Sequence, residues 1–141
     1  MNTVAELPKN SLTSSLSFEE LQVFKNLILK KIADGEDEIN FLLDSIHEMR
    51  ENNSSDLTSS QHHVADIGSL EAAMQVNMRL LERTQKFIRG LKAALKRIEN
   101  GTYGVCKVTG KMIARERLMA APHTQHSMEA KLMRNKRLNI G

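Results

Sequence analysis

The chain has 141 residues, 40% of them hydrophobic, with one cysteine, one tyrosine, four phenylalanines and no tryptophan. This length fits one domain, or one small lobe with an extended element, and the composition excludes wholesale disorder. A single cysteine excludes an internal disulfide. No apolar run approaches membrane-spanning length and the first residues lack the pattern of a secretory signal, so we expect a cytoplasmic protein.

The net charge of +3 conceals a strong asymmetry along the chain. Residues 1–82 carry 6 basic and 14 acidic side chains, a net charge of −8, whereas residues 83–141 carry 14 basic and 3 acidic ones, a net charge of +11. Acidic segments are attracted to cations and basic channels, and basic segments to phosphates or acidic protein surfaces. The two halves are therefore expected to meet different surfaces, unless they are simply solvated helix faces.

A first helix is predicted to begin at Ser17, after a flexible arm of residues 1–16. Ser17 and Glu20 have the spacing of a capping box. Apolar positions then follow at alternating intervals of four and three, the spacing of a coiled-coil seam: Ile28, Ile32, Gly35, Ile39, Leu42, Ile46 and Met49. Gly35 costs the helix about 1 kcal/mol relative to alanine, but it lets two backbones approach closely.

Residues 53–68, rich in Asn, Ser, Thr and Asp, predict a loop at the tip of a hairpin. A second seam follows it: Ile67 or Leu70, then Met74, Asn77, Leu81, Thr84, Ile88, Leu91, Leu95 and Ile98. Two such helices of roughly 30 residues predict an antiparallel coiled-coil hairpin over residues 17–100, about 45 Å long. Polar Asn77 and Thr84 within the seam are interpreted as setting its register.

The region after the hairpin is predicted to be a compact lobe. Asn100 and Gly101 end the second helix, and Gly104 and Gly110 flank Cys106 in residues 101–126, which resemble a zinc knuckle that has lost its metal. A short basic helix and tail are predicted over residues 127–141. The predicted fold class is all-α, a long antiparallel coiled-coil hairpin with a small degenerate zinc-knuckle lobe and a short C-terminal helix.

The lobe carries a spaced motif after the long helix: Tyr103, Gly104, Cys106, Thr109, Gly110, Ile113, Arg117, Leu118, Ala120 and Pro122. With this motif, roughly residues 18–138 resemble the DksA/TraR family of bacterial transcription factors. In that family a coiled-coil hairpin enters the secondary channel of RNA polymerase, while a four-cysteine zinc knuckle and a C-terminal helix hold its base outside. The resemblance implies a monomeric regulator of initiation that binds RNA polymerase, catalyses no reaction and acts within stringent-type control.

The four zinc positions of that family correspond here to Cys106, Thr109, Ser127 and Ala130. A structural zinc ion needs four ligands, and this set offers one thiolate. We therefore predict no metal and no other cofactor. Packing of Ile113, Leu118 and Met119 would hold the lobe, and Ser127 would cap the last helix. The alternative is a site formed by His123 and His126 with Cys106.

The resemblance also implies roles for the tip and the base of the hairpin. Asp66 aligns with an aspartate that the family uses near the polymerase active centre, whereas the other acidic position is His63 and the small apolar position is Gly68. A purely structural role, in which Asp66 caps the second helix, is the alternative. Candidate polymerase-binding residues at the base are Arg83, Arg89, Lys131, Arg134 and Arg137.

Guanosine tetraphosphate is the usual co-regulator in this family and is bound by basic side chains. Three of those positions correspond to Gly90, Ala121 and Lys131, so two cations are missing. Each charge-assisted contact contributes about 1.5–3 kcal/mol. Synergy with the nucleotide is therefore expected to be weak unless Arg89 or Lys92 compensates.

The sequence offers less support for three other functional classes. An enzyme is disfavoured because the chain offers no phosphate-binding loop and no nucleophile with an evident base. Direct DNA binding by the basic tail would give a salt-dependent shift without polymerase, although only Tyr103 is available for stacking, and we expect no independent sequence-specific DNA binding. A coiled-coil adaptor would tolerate replacement of Asp66. The sequence predicts no association with membranes.

Overall fold

The computed structural model describes residues 14–56 and 64–140. Its helices, in chain order, are α1 (Phe18–Asp56), α2 (Val64–Asn100), α3 (Arg115–Ala120) and α4 (Met128–Ile140). Within these residues the β-type pairing is a single bridge between Val105 and Met112, outside any strand. The predicted all-α class is confirmed. No helix in this part of the chain combines the length and the apolar character that a membrane span requires.

Both long helices extend into the segment predicted as the tip. α1 continues to Asp56 and α2 begins at Val64, so residues 53–56 and 64–68 are helical. Asn, Ser and Asp disfavour a helix only weakly, and extending an existing helix is far easier than starting one. Residues 1–13 of the predicted arm lie outside the described residues. Residues 57–63, the part of the predicted tip between the two helices, also lie outside them.

Residues 31–89 form one compact unit in which segments of α1 and α2 run antiparallel. Gly35 lies against Ile88, and Ser45, further along α1, contacts Asn77, which is earlier in α2. The two helices therefore run in opposite directions. The predicted seam is buried at Ile32, Gly35, Leu42, Ile46, Thr84 and Ile88. The coiled-coil spacing therefore identified the faces that pack.

Asn77 makes a polar contact across this seam. Its Nδ2 donates a hydrogen bond to Ser45 Oγ at 3.0 Å and lies 3.9 Å from Met49 Sδ. A shift in register would separate the half-buried amide from Ser45 and remove a hydrogen bond, which contributes about 0.5–1.5 kcal/mol. This contact supplies a physical basis for the predicted register-setting role.

Gly35 marks a close approach of the two helices. A Cβ at this position would lie 3.0 Å from both Cγ1 and Cδ1 of Ile88. Gly35→Leu is expected to lower the free energy of unfolding by about 1–3 kcal/mol, because overpacking outweighs the gain of about 1 kcal/mol in helix propensity. Chemical denaturation followed by circular dichroism measures the change.

Gly68→Leu is the matched control, because it also lies in a long helix but a Cβ there meets nothing within 4 Å. It should not destabilise the protein. Equal stability of the Gly35 variant and the wild type would contradict the close approach.

The described residues before 31 and after 89 form the second compact unit. Ser17 and Glu20 make the predicted capping box, each backbone N–H donating to the other's side chain at 3.2 Å. At the end of α2, Gly101 has φ 75° and its N–H donates to Ile98 O, while Thr102 N–H donates to Arg97 O. These two bonds are the Schellman motif that a glycine cap predicts.

Tyr103 is a fully buried centre of this unit. Its ring centroid lies 5.6 Å from that of Phe24, and its hydroxyl donates to Pro122 O at 2.9 Å. Burial raises the pKa of Tyr103 to about 12 against the opposing effect of Arg97, so the phenol stays a neutral donor. The tyrosine thus joins α1, the lobe and the segment that leads to α4.

Two of the three residues predicted to pack the lobe are buried. Ile113 is 3% exposed and Leu118 is fully buried, but Met119 is 47% exposed, so its predicted packing role is wrong. α3 presents one face inward, and the residue after Leu118 is turned by about 100° around the helix axis. Tyr103, Cys106 and Pro122 occupy the interior instead.

Candidate functional site

Cys106 lies at the centre of the lobe with its side chain fully buried. Its sulfur accepts backbone N–H bonds from Thr109 at 3.5 Å and from Ser127 at 3.3 Å. Its own N–H donates to Lys111 O, and its carbonyl accepts from Gly110 N–H. The cysteine therefore connects the glycine turn that follows it with the residue that begins α4.

Ser127 is the N-cap of α4. Its Oγ accepts the backbone N–H of Ala130 at 3.2 Å, and its carbonyl accepts the N–H of Lys131 at 3.0 Å. A serine oxygen bonded to the third N–H of a helix satisfies a donor that has no intrahelical partner. The predicted capping role of Ser127 is confirmed.

The residues at the four knuckle positions do not fit a structural zinc ion. Cys106 provides a sulfur, but Thr109 and Ser127 provide hydroxyls whose oxygens already accept backbone N–H groups, at 3.3 and 3.2 Å. Ala130, which is 3% exposed, provides a methyl group. A tetrahedral site needs four nitrogen, sulfur or carboxylate ligands. Backbone hydrogen bonds to the Cys106 sulfur connect three of these four positions.

The alternative site with two histidines is not assembled. Among the described residues no group of three or more His, Cys, Asp or Glu side chains is placed to hold a metal ion. His123 lies over α2, where a Cβ built at Gly90 would be 3.6 Å from its Cβ and Cδ2. His126 uses its backbone carbonyl to accept a bond from Arg117 Nε at 2.7 Å.

The pKa of the Cys106 thiol is about 6. Burial acts to raise this pKa, but hydrogen bonds from Thr109 and Ser127 to the sulfur outweigh burial and lower it. An unfolded cysteine has a pKa of about 8.5. The unfolded chain therefore binds a proton that the folded chain does not, between about pH 6 and pH 8.5.

Stability is expected to rise with pH through this window, by up to about 1.4 kcal/mol per pH unit, and to lose this contribution as pH falls through about 6. Urea unfolding of the wild type and of Cys106→Ala across about pH 5.5–9 measures the effect. Both proteins contain the same histidines, so the difference between their profiles reports the thiol. A flatter profile in the variant is expected. Identical slopes in both would show that the folded thiol keeps an ordinary pKa.

The segment between α3 and α4 is held by side chains whose roles the sequence analysis missed. Arg117 donates to His126 O, to Thr124 Oγ1 at 3.3 Å and to Met128 Sδ at 3.0 Å. Arg97 Nη2 donates to His123 O at 3.1 Å. Arg117 and Tyr103 belong to the motif that carries the family resemblance, so the sequence marked both residues. Their hydrogen-bond partners are known only from the fold.

The predicted tip residues lie at the start of α2. Asp66 is the third residue of the helix, so it does not precede the helix as the predicted capping role required. The side chain of Asp66 and all of His63 lie outside the described part of the structure. Gly68 is exposed within α2. A carboxylate in the first turn of a helix interacts favourably with the helix dipole.

The candidate polymerase-binding cations are all exposed. Arg83 and Arg89 lie on α2 in the unit of residues 31–89, and Lys131, Arg134 and Arg137 lie on α4 in the other unit. The three α4 residues share one short helix, whose only buried side chain between 128 and 138 is that of Ala130. Their charges therefore face solvent.

A family model described as the prokaryotic dksA/traR C4-type zinc finger matches residues 101–132. The RNA polymerase-binding transcription factor DksA of Caulobacter vibrioides is 34% identical over 83 residues, which cover 59% of this chain and 58% of that relative. General stress protein 16O of Bacillus subtilis is 35% identical over 69 residues, 49% of this chain and 42% of that relative. The match thus spans less than two thirds of these relatives.

This chain is similar to the solved structure of transcription factor DksA2 from Pseudomonas aeruginosa. The TM-score is 0.73 at 27% identity, over 87% of this chain and 88% of that chain. Helical segments followed by a knuckle-type lobe and a short helix are the features that this chain shares with that structure. The predicted resemblance to the DksA/TraR family is confirmed, because a family model matches the lobe and DksA-named proteins match in sequence and in structure.

Proposed function

We propose that this protein is a transcription regulator that binds RNA polymerase through its secondary channel and alters initiation. The observation that carries the proposal is the likeness to the DksA2 transcription factor across hairpin and lobe, over 87% of this chain. The Caulobacter relative is named for polymerase binding. A single copy in the cytoplasm acts on the polymerase, and the chain performs no reaction of its own.

The tip and the base have separate tasks in this proposal. Asp66, in the first turn of α2, acts near the polymerase active centre, with Gly68 beside it on the same helix. The exposed cations Arg83 and Arg89 and those of α4 supply affinity from the base. Exposed charges act mainly on the rate of association and are screened by salt.

We propose that guanosine tetraphosphate changes the effect of this protein on polymerase only weakly, whether or not the protein acts in stringent-type control. Two of the three family positions considered, Gly90 and Ala121, lack a cationic side chain, and His123 packs over Gly90. Lys131 is an exposed cation at the third position. Loss of two charge-assisted contacts, each contributing about 1.5–3 kcal/mol, supports this expectation.

We also propose that the lobe folds without zinc. Protein treated with a chelator is expected to keep its helical circular dichroism and to melt within about 2 °C of the untreated protein, because no metal-binding energy is linked to folding. Thermal melts with and without chelator, together with elemental analysis, measure this. Stoichiometric zinc with unfolding on chelation would contradict the proposal.

Two alternative functions remain weaker. Direct binding to single-stranded nucleic acid relies on exposed aromatic rings for stacking, and Tyr103, the aromatic residue available near the basic tail, is fully buried. A coiled-coil adaptor needs no special tip and would be favoured if replacement of Asp66 changed no activity. No sequence-specific DNA binding by the isolated chain is proposed.

Capture of purified RNA polymerase by the full chain tests the function. We expect binding that a known secondary-channel factor displaces in competition. A variant with Arg134→Ala and Arg137→Ala should bind less tightly at low salt. Absence of binding, or binding that the competitor leaves unchanged, would overturn the proposed function.

A further inference from the structure

α4 presents a surface that nothing in the described part of the chain covers. Every side chain from residue 131 to 138 is exposed, and Leu132 and Leu138 remain 55% and 71% exposed. Lys131, Arg134 and Leu138 follow each other at intervals of three and four, which places them on one helix face. We name these three residues the basic row. A 13-residue helix with so little burial gains little stability from packing, and exposed apolar residues mark interaction surfaces.

α1 carries a second row of complementary chemistry, away from its buried seam. Six positions follow each other at intervals of three and four, and all are exposed: Asp34, Asp37, Phe41, Asp44, Glu48 and Glu51. We name them the acidic row. Phe41, within it, is 71% exposed. Of its carboxylates, Glu51 contacts His47 Nε2 at 3.2 Å, and the described residues supply no salt bridge to the others.

The two rows are complementary in charge. The basic row, from Lys131 to Leu138, is about 11 Å long and can oppose less than half of the acidic row, which from Asp34 to Glu51 is about 26 Å long. One surface combines cations with an exposed leucine, and the other combines carboxylates with an exposed phenylalanine. Like charges at these spacings repel each other along α1, and opposed cations would relieve that repulsion.

We propose that the acidic row is a docking surface for a second copy of this chain, whose α4 lies along it through the basic row. Phe41 and Leu138 supply apolar contact, and the charges set partner and register. The pair forms when the protein is concentrated and salt is low.

Pairing would limit polymerase binding, a consequence that rests on the proposed function. Lys131 and Arg134 belong both to the basic row and to the cations proposed to hold the polymerase, so one copy cannot use them for both at once. The single copy is the form proposed to act on polymerase, and the pair is a form that does not bind it. Pairing itself stands independently of the polymerase.

Sedimentation velocity of the full chain at about 100 µM, in about 50 mM and about 500 mM salt, tests the pairing. The wild type should sediment as a pair at low salt and as a single chain at high salt. Lys131→Glu with Arg134→Glu, or Asp37→Lys with Asp44→Lys, should leave a single chain in both buffers. All four changes together should restore the pair, since both charges are then reversed.

Lys107→Glu with Lys111→Glu is the matched control, because these lysines are exposed outside α4 and their reversal should leave the pair intact. A wild type that remains a single chain at low salt would overturn the proposal, as would loss of the pair in the control or failure of the fourfold variant to pair. Polymerase capture is a separate readout. Its failure would not change the sedimentation result, and a lack of pairing would leave capture intact.

Discussion

Replacing Tyr103 with alanine is expected to lower the free energy of unfolding by about 3–5 kcal/mol. The side chain is fully buried, its ring packs 5.6 Å from Phe24, and its hydroxyl bonds to Pro122 O. Truncation removes aromatic packing, opens a cavity and leaves a buried carbonyl without its donor. The loss is measured by urea unfolding followed by circular dichroism.

Two controls separate the causes. Tyr103→Phe keeps the ring and removes the hydroxyl, so it should cost about 1–3 kcal/mol, the cost of an unsatisfied buried acceptor. Phe41→Ala removes an aromatic ring that is 71% exposed and should change stability by no more than about 0.5 kcal/mol. Equal losses for Tyr103→Ala and Phe41→Ala would show that the lobe is not organised around Tyr103.

Asp66→Asn is expected to reduce the effect of the protein on open-complex lifetime at a ribosomal promoter by about tenfold, about 1.4 kcal/mol, with polymerase affinity nearly unchanged. The substitution keeps the size of the side chain and removes its charge in the first turn of α2. The proposed function assigns that charge to the polymerase active centre and assigns affinity to the base. Promoter lifetime assays in vitro and a binding titration measure the two properties separately.

Arg134→Ala with Arg137→Ala is the converse variant. It should weaken polymerase binding in a salt-dependent way, while saturating amounts of the variant should retain the effect on promoter lifetime. Circular dichroism should show unchanged helicity for both variants. Full transcriptional effect of Asp66→Asn would mean that the tip carboxylate is structural, and that the family mechanism does not transfer through this residue.

The buried face of α1 and several helix ends could be predicted from patterns of residues that are close in the sequence. The alternating spacing of Ile32, Leu42 and Ile46 determined the buried face of α1, because a helix brings residues three and four apart to one side. The capping box at Ser17 and the glycine cap at Gly101 determined two helix ends, since their bonds join residues close in sequence. Ser127 as the cap of α4 was predictable for the same reason.

The tertiary structure alone decided the contacts between residues far apart in sequence. Whether Leu118 or Met119 faced the core depended on how the six-residue α3 docks, which short-range patterns do not specify. The bonds of Arg97 and Arg117 to the segment before α4 depended likewise on the folded lobe. The sequence shows directly that one of the four family zinc positions is a cysteine, but the bond from Ser127 N–H to the Cys106 sulfur spans 21 residues and forms only when the lobe folds around the thiol.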